Sequence, residues 1–70
     1  MEKIIRIIEN YVEYDGEITR DLSFKGDLGL SSFDTVCMTE ELNTEFGKSL
    51  TPNDFIRYKT VGEMYDYLSE

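Results

Sequence analysis

Residues 26–36 read GDLGLSSFDTV. Two serines follow a Gly-Leu step, and an aromatic residue and an acid follow the serines at once. Ser31 suits the N-cap of a helix, and Asp34, three residues on, can close a capping box and complement the helix dipole. From Ser32 to Phe46 the spacing predicts a helix with Val36, Thr39, Leu42 and Phe46 on one face, ended by Gly47 as its C-cap. A serine at a helix start is usually a cap or a bystander. The rest of the chain has to say whether the hydroxyl of Ser32 serves a purpose.

Upstream, KIIRIIENYVE (residues 3–13) places Ile4, Ile5, Ile8, Tyr11 and Val12 in an apolar stripe at helical spacing, and Asp15-Gly16 reads as its stop. The stretch EITRDLSFKGDLGL (residues 17–30) has no periodic run. Its apolar residues Ile18, Leu22, Phe24, Leu28 and Leu30 stand among turn formers, which predicts a long loop pinned to the core. Loops of that length in small domains are often functional. Downstream, Pro52 suits the first turn of a short helix from Asn53 to about Arg57. In TVGEMYDYLSE (residues 60–70), Val61, Met64, Tyr65 and Leu68 make an amphipathic set, with Thr60 as N-cap and Glu63 as its capping-box partner. The fold class is therefore all-α: a four-helix bundle with three longer helices, one short helix and a long first loop, in a single domain over residues 1–70.

Seventy residues bury about ten side chains well, which is one small core and no deep enzymatic cleft. Fifteen acidic against seven basic residues give a net charge of −8, which repels nucleic acid and anionic membrane surfaces and steers in proteins with basic patches. Histidine is absent and Cys37 is the one cysteine. A Ser-His-Asp nucleophile, a disulfide within the chain and a Cys-rich zinc site are thereby excluded. No signal peptide or run of transmembrane length is visible, and the expectation is a cytoplasmic monomer. Asp15, Glu17, Thr19 and Asp21 alternate as in a calcium loop, but Arg20 replaces the central glycine and Gly26 the bidentate glutamate, so that reading is discounted.

A hydroxyl in the first turn of a helix, at the end of an exposed loop, suits a phosphate ester, because unpaired N–H groups and the positive end of the dipole face it. The chain resembles the acyl carrier proteins over nearly its whole length. Asp27-Leu28-Gly29, then Ser32-Phe33-Asp34 and Val36, match the signature of that family's second helix. The likeness extends to Ile18-Thr19, Leu22, Ser23 and Phe24, to Glu45-Phe46, and to Thr60-Val61 with Asp66-Tyr67-Leu68. The resemblance implies that Ser32 carries 4′-phosphopantetheine, transferred from coenzyme A by a phosphopantetheinyl transferase, and that the arm's thiol holds acyl groups as thioesters. Ser32 fits the register where Ser31 does not. The chain would then be a carrier and not an enzyme, serving acyl-transferring and condensing enzymes with basic docking patches in a fatty-acid or a specialised polyketide- or peptide-like pathway.

The partner-binding residues implied are Phe33, Asp34, Val36, Glu40 and Glu41, with Glu45 a further recognition acid. For Phe33 the alternative is a staple folded back over the loop, and Met38 reads as core. Ser31 stands where the family commonly has aspartate, and Cys37, Asn43 and Thr44 where acids are frequent, so docking to basic surfaces would be weaker. Phe55, Tyr58, Met64 and Tyr65 are bulky for a space in which carriers shelter long chains, which predicts little room for long acyl groups. The competing reading is a small acidic helical adaptor that takes no prosthetic group and binds a partner through the Phe33–Val36 strip.

Overall fold

The computed structural model describes residues 1–70 and contains four helices: α1 (Glu2–Glu9), α2 (Ser32–Phe46), α3 (Asp54–Arg57) and α4 (Val61–Leu68). Three are longer and one is a single turn, and a long first loop separates α1 from α2. The all-α bundle expected from the sequence is the fold observed. Fourteen buried apolar residues form one core cluster, more than the number expected, because the first loop gives Ile18, Phe24, Leu28 and Leu30 to it as α1 gives Ile4, Ile7 and Ile8. Leu22 is half-buried.

Three sequence expectations are corrected. Helix α1 ends at Glu9 rather than near residue 13. Its last turn tightens, with the amides of Asn10 and Tyr11 bonding back three residues to Ile7 and Ile8. On α2 the buried stripe is Thr35, Met38, Thr39 and Leu42, while Val36 is 47% exposed and Phe46 only half-buried. The reason lies in the threonines. Thr35 Oγ1 donates to the Ser31 carbonyl at 2.8 Å and Thr39 Oγ1 to the Thr35 carbonyl at 2.7 Å, so each hydroxyl is satisfied on its own helix and its methyl can face the core. The core stripe therefore turns away from Val36. At both helix starts only half of the expected capping box forms: the amides of Asp34 and Glu63 donate to the hydroxyls of Ser31 and Thr60, and neither acid returns a bond.

The loop is held by backbone pairing that apolar spacing does not announce. Ser23 and Thr60 form an isolated antiparallel bridge, with Phe24 N–H donating to the Lys59 carbonyl at 3.0 Å and Val61 N–H to that of Leu22 at 2.9 Å. Gly62 N–H adds a bond to the Arg20 carbonyl at 3.0 Å. A side chain at Gly62 would put its first carbon 2.8 Å from Arg20 Cβ, so the close approach of loop to helix requires glycine there. Arg20 then reaches past it to Asp66 at 2.7 Å. The last loop residues are fixed as well: Ser23 Oγ accepts from the amides of Gly26 and Asp27, Asp27 accepts from Ser23 N–H, and Leu30 N–H bonds the Phe24 carbonyl. The chain thus arrives at Ser31 from an anchored turn.

Candidate functional site

At the start of α2 the two serines have different duties. Ser31 is the N-cap, in extended backbone (φ −79°, ψ 168°), and its Oγ accepts from Asp34 N–H at 3.1 Å. Its carbonyl accepts both the amide and the hydroxyl of Thr35. Ser32, the first helical residue, is exposed, and its hydroxyl has no partner. The amides of Ser32 and Phe33 belong to the first turn and likewise have no acceptor. An exposed free hydroxyl therefore sits beside two free N–H donors at the positive end of a fifteen-residue helix. That donor set suits a phosphodiester on Ser32, whose anionic oxygens would meet the N–H groups.

The other expected residues divide by accessibility. Phe33 is 76% exposed and so is no staple over the loop. Val36 stands one turn further on, also exposed, and together they put apolar surface beside the serine. Asp34 is half-buried and Glu40 exposed. Glu41 is half-buried, and its carboxylate accepts from Tyr11 Oη at 2.7 Å and Asn10 Nδ2 at 3.4 Å, tying the end of α1 to α2. The same bond, helped by burial and the neighbouring negative charge, pushes the Tyr11 phenol up to about 12. Glu45 pairs with Lys3 at 3.5 Å across the same helices. Met38 is fully buried.

Of the four bulky residues two are buried, and Tyr58 and Tyr65 are half-buried against the core. Phe55 and Met64 are buried, Phe55 edge-on to Phe24 with ring centroids 4.9 Å apart, and Tyr58 stacks on Tyr67 at 4.8 Å. Ile56 escaped the sequence reading. It is 57% exposed on α3, and its signal was an isoleucine just outside the buried face of a one-turn helix. No group of three or more acidic or cysteine side chains gathers where a metal could sit, and no helix is long and apolar enough to cross a membrane.

A family model described as a phosphopantetheine attachment site matches residues 2–68, nearly the whole fold, and makes the chain a phosphopantetheine-attachment domain. Curated relatives sharpen the class. The chain is 33% identical to the acyl carrier protein of two Porphyromonas gingivalis strains, ATCC 33277 and W83, over 99% of its length and 90% of theirs. It is 34% identical to the acyl carrier protein of Rickettsia bellii, over 99% of its length and 86% of that protein's. The chain belongs to the acyl carrier protein family, whose members are carriers and not enzymes. The cofactor of such a domain is 4′-phosphopantetheine, which supplies a terminal thiol able to hold acyl groups as thioesters.

Proposed function

We propose that residues 1–70 act as a single carrier domain whose Ser32 hydroxyl bears the phosphopantetheine arm, and that the chain presents thioester-bound acyl groups to acyl-transferring and condensing enzymes of a fatty-acid or specialised pathway. One observation carries the assignment of the serine. Ser31 is spent in the helix cap, whereas Ser32 is exposed, unbonded and beside two free amides. In the loading step Ser32 Oγ forms the new bond to phosphorus and loses its proton to a base on the transferase. The pyrophosphate linkage of coenzyme A breaks, and the nucleotide leaves. This chain contributes an accessible oxygen held at a fixed point and N–H donors for the phosphate charge.

Docking falls to the N-terminal end and the middle of α2. Phe33 and Val36 offer the apolar contact, and Asp34, Glu40 and Glu41 the negative field that brings in basic patches. Within that group Glu40 presents its charge to solvent, while Glu41 divides its charge between partner and Tyr11. Phe55 and Met64 are buried in the core and Tyr58 and Tyr65 pack against it, which supports short acyl groups as cargo. Lengthening the acyl group beyond a few carbons is then expected to add little to the melting temperature. A steady rise with chain length would overturn that part.

The deciding experiment is intact mass after incubation with coenzyme A, magnesium and a broad-specificity phosphopantetheinyl transferase. The chain and Ser31→Ala are expected to gain the mass of the arm, and Ser32→Ala is not. No gain with several transferases, while the chain is folded and a control carrier is modified, would leave the acidic adaptor reading in its place.

A further inference from the structure

Asp15 and Gly16 lie between the end of α1 at Glu9 and the buried Ile18. Residues 13–18 make no backbone hydrogen bond to any part of the chain. Asp15 and Gly16 are both exposed and in a bend, with Gly16 at φ 131°. Backbone groups left in this way are bonded by water and free to turn.

That freedom matters for a reaction internal to the chain. The amide nitrogen that follows an aspartate can attack the side-chain carboxyl carbon. A C–N bond forms, a carboxyl oxygen leaves as water, and a five-membered succinimide closes. Water then opens the ring. Where it adds at the α-carbonyl, the chain afterwards runs through the side-chain carbonyl and the α-carboxylate is set free, which is isoaspartate. Two things oppose the attack: a side chain on the following residue, and a hydrogen bond that keeps its N–H turned away. Gly16 has neither.

Every other aspartate is guarded. Asp21, Asp27, Asp34 and Asp54 are followed by Leu22, Leu28, Thr35 and Phe55, whose amides bond the carbonyls of Thr19, Ser23, Ser31 and Pro52. Tyr67, after Asp66, lies within α4. Asp27, Asp54 and Asp66 are also engaged through their carboxylates, with Ser23 N–H, Thr51 N–H and Arg20. The asparagines react in the same way with loss of ammonia, and they are guarded too. Asn10 and Asn53 precede the bonded amides of Tyr11 and Asp54, and Asn43 lies inside α2.

We propose that Asp15-Gly16 is a self-modification site, where the backbone of the folded chain rearranges to isoaspartate through a succinimide ahead of every other aspartate. The α-carboxylate set free is the acceptor that isoaspartyl methyltransferases use, the methyl passing from the sulfonium of S-adenosylmethionine to the carboxylate oxygen. The added methylene falls in a segment that no backbone bond ties to the core, so the rearranged chain keeps its fold and Ser32 its exposure. The inference does not depend on the carrier reading.

The folded chain is kept warm for weeks at mildly acidic pH and digested with trypsin, which leaves Asp15 in the peptide Ile7–Arg20. A second peak of unchanged mass is expected for that peptide, with isoaspartate located at Asp15 by electron-transfer fragmentation. An isoaspartyl methyltransferase with labelled S-adenosylmethionine is expected to label the aged chain and not the fresh one. Asp15→Glu, which cannot close a five-membered ring, is expected to give neither signal. Asp15→Asn is expected to give isoaspartate faster, because ammonia leaves more readily than water. Both variants replace an exposed side chain, so both fold. A synthetic peptide of residues 7–20 is expected to age within about two-fold of the rate in the folded chain, because an unbonded segment opens at almost no cost. Isoaspartate earlier or equally at another aspartate, none at Asp15, or a folded rate far below that of the peptide would overturn the proposal. The rearranged chain, once separated, is expected to melt with the wild type. A large fall in its melting temperature would overturn the placement of residues 13–18 outside the bonded fold.

Discussion

The two ends of α2 are built from similar residues to opposite effect. At the C-terminal end the polar side chain of Asn43 and the turn at Gly47 lock the helix to the chain that follows. Asn43 Nδ2 donates to the Leu50 carbonyl at 3.0 Å and its Oδ1 accepts from Leu50 N–H at 2.7 Å, while Gly47 turns the chain in the left-handed region (φ 66°) and bonds the Asn43 carbonyl. Leu42 and Leu50 are buried beside this lock. At the N-terminal end Ser31 closes the cap, and then a hydroxyl, two amides and two large apolar side chains are left facing water. Polar groups that bond each other hold the fold; those left over beside exposed apolar surface are available to something else.

Substitutions along the helix should reproduce that gradient. The largest loss of stability is expected from Leu42→Ala at the locked end. Leu42 is fully buried, and truncating such a leucine costs about 2–5 kcal/mol, readable as a fall in the denaturant midpoint. Asn43→Ala comes next. It strands both backbone groups of the half-buried Asn43–Leu50 pair, at about 1–3 kcal/mol. If either variant were as stable as the wild type, the C-terminal end would not be the anchor described.

The serines give the intermediate effect and the most direct break of the comparison. Ser31→Ala removes a cap and should cost about 1 kcal/mol while leaving the gain of the arm intact. Ser32→Ala should reverse the pattern, with stability unchanged within about 0.5 kcal/mol and the gain lost. Phe33→Ala belongs with Ser32: its side chain is mostly in water, so stability should hold within about 0.5 kcal/mol while the rate of transfer by partner enzymes falls. A large loss of stability in Phe33→Ala would place that ring in the fold and not in the docking surface.

Much of this was legible in the sequence, and the misses have separate causes. Apolar spacing gave α4 nearly to the residue, and turn formers with Gly47 located the C-terminus of α2. The family resemblance singled out Ser32 by register, and in the structure Ser31 is bound in the helix cap while the Ser32 hydroxyl bonds nothing. The rotation of α2 was misread at Val36 because threonine scores as polar, whereas Thr35 and Thr39 bury their methyls by bonding carbonyls one turn back. The end of α1 was misread because Tyr11 continues the stripe by spacing, while its phenol is drawn to Glu41 on another helix. The bridge at Ser23 and Thr60 was invisible for a different reason. It depends on a long-range backbone pairing that no local pattern encodes.

The smallest expected effect tests the middle of α2, where Glu40 and Glu41 stand side by side and only Glu41 is tied. Tyr11 donates to Glu41, and the bond is made by the neutral phenol, which is why its ionisation is pushed up to about 12. A group whose pKa is raised on folding adds stability that is fully present below its unfolded value, near 10, and is lost as pH rises through the folded value. The contribution at pH 7 should be under about 1 kcal/mol, because the pair is partly in water. Tyr11→Phe should therefore melt slightly below the wild type at neutral pH, and the gap should close between about pH 10 and pH 12. A gap that stays constant through that window would mean that the hydroxyl stabilises by packing alone. Glu41 would then be as free to meet a partner as Glu40, and the tied acid and the free acid would no longer be distinct.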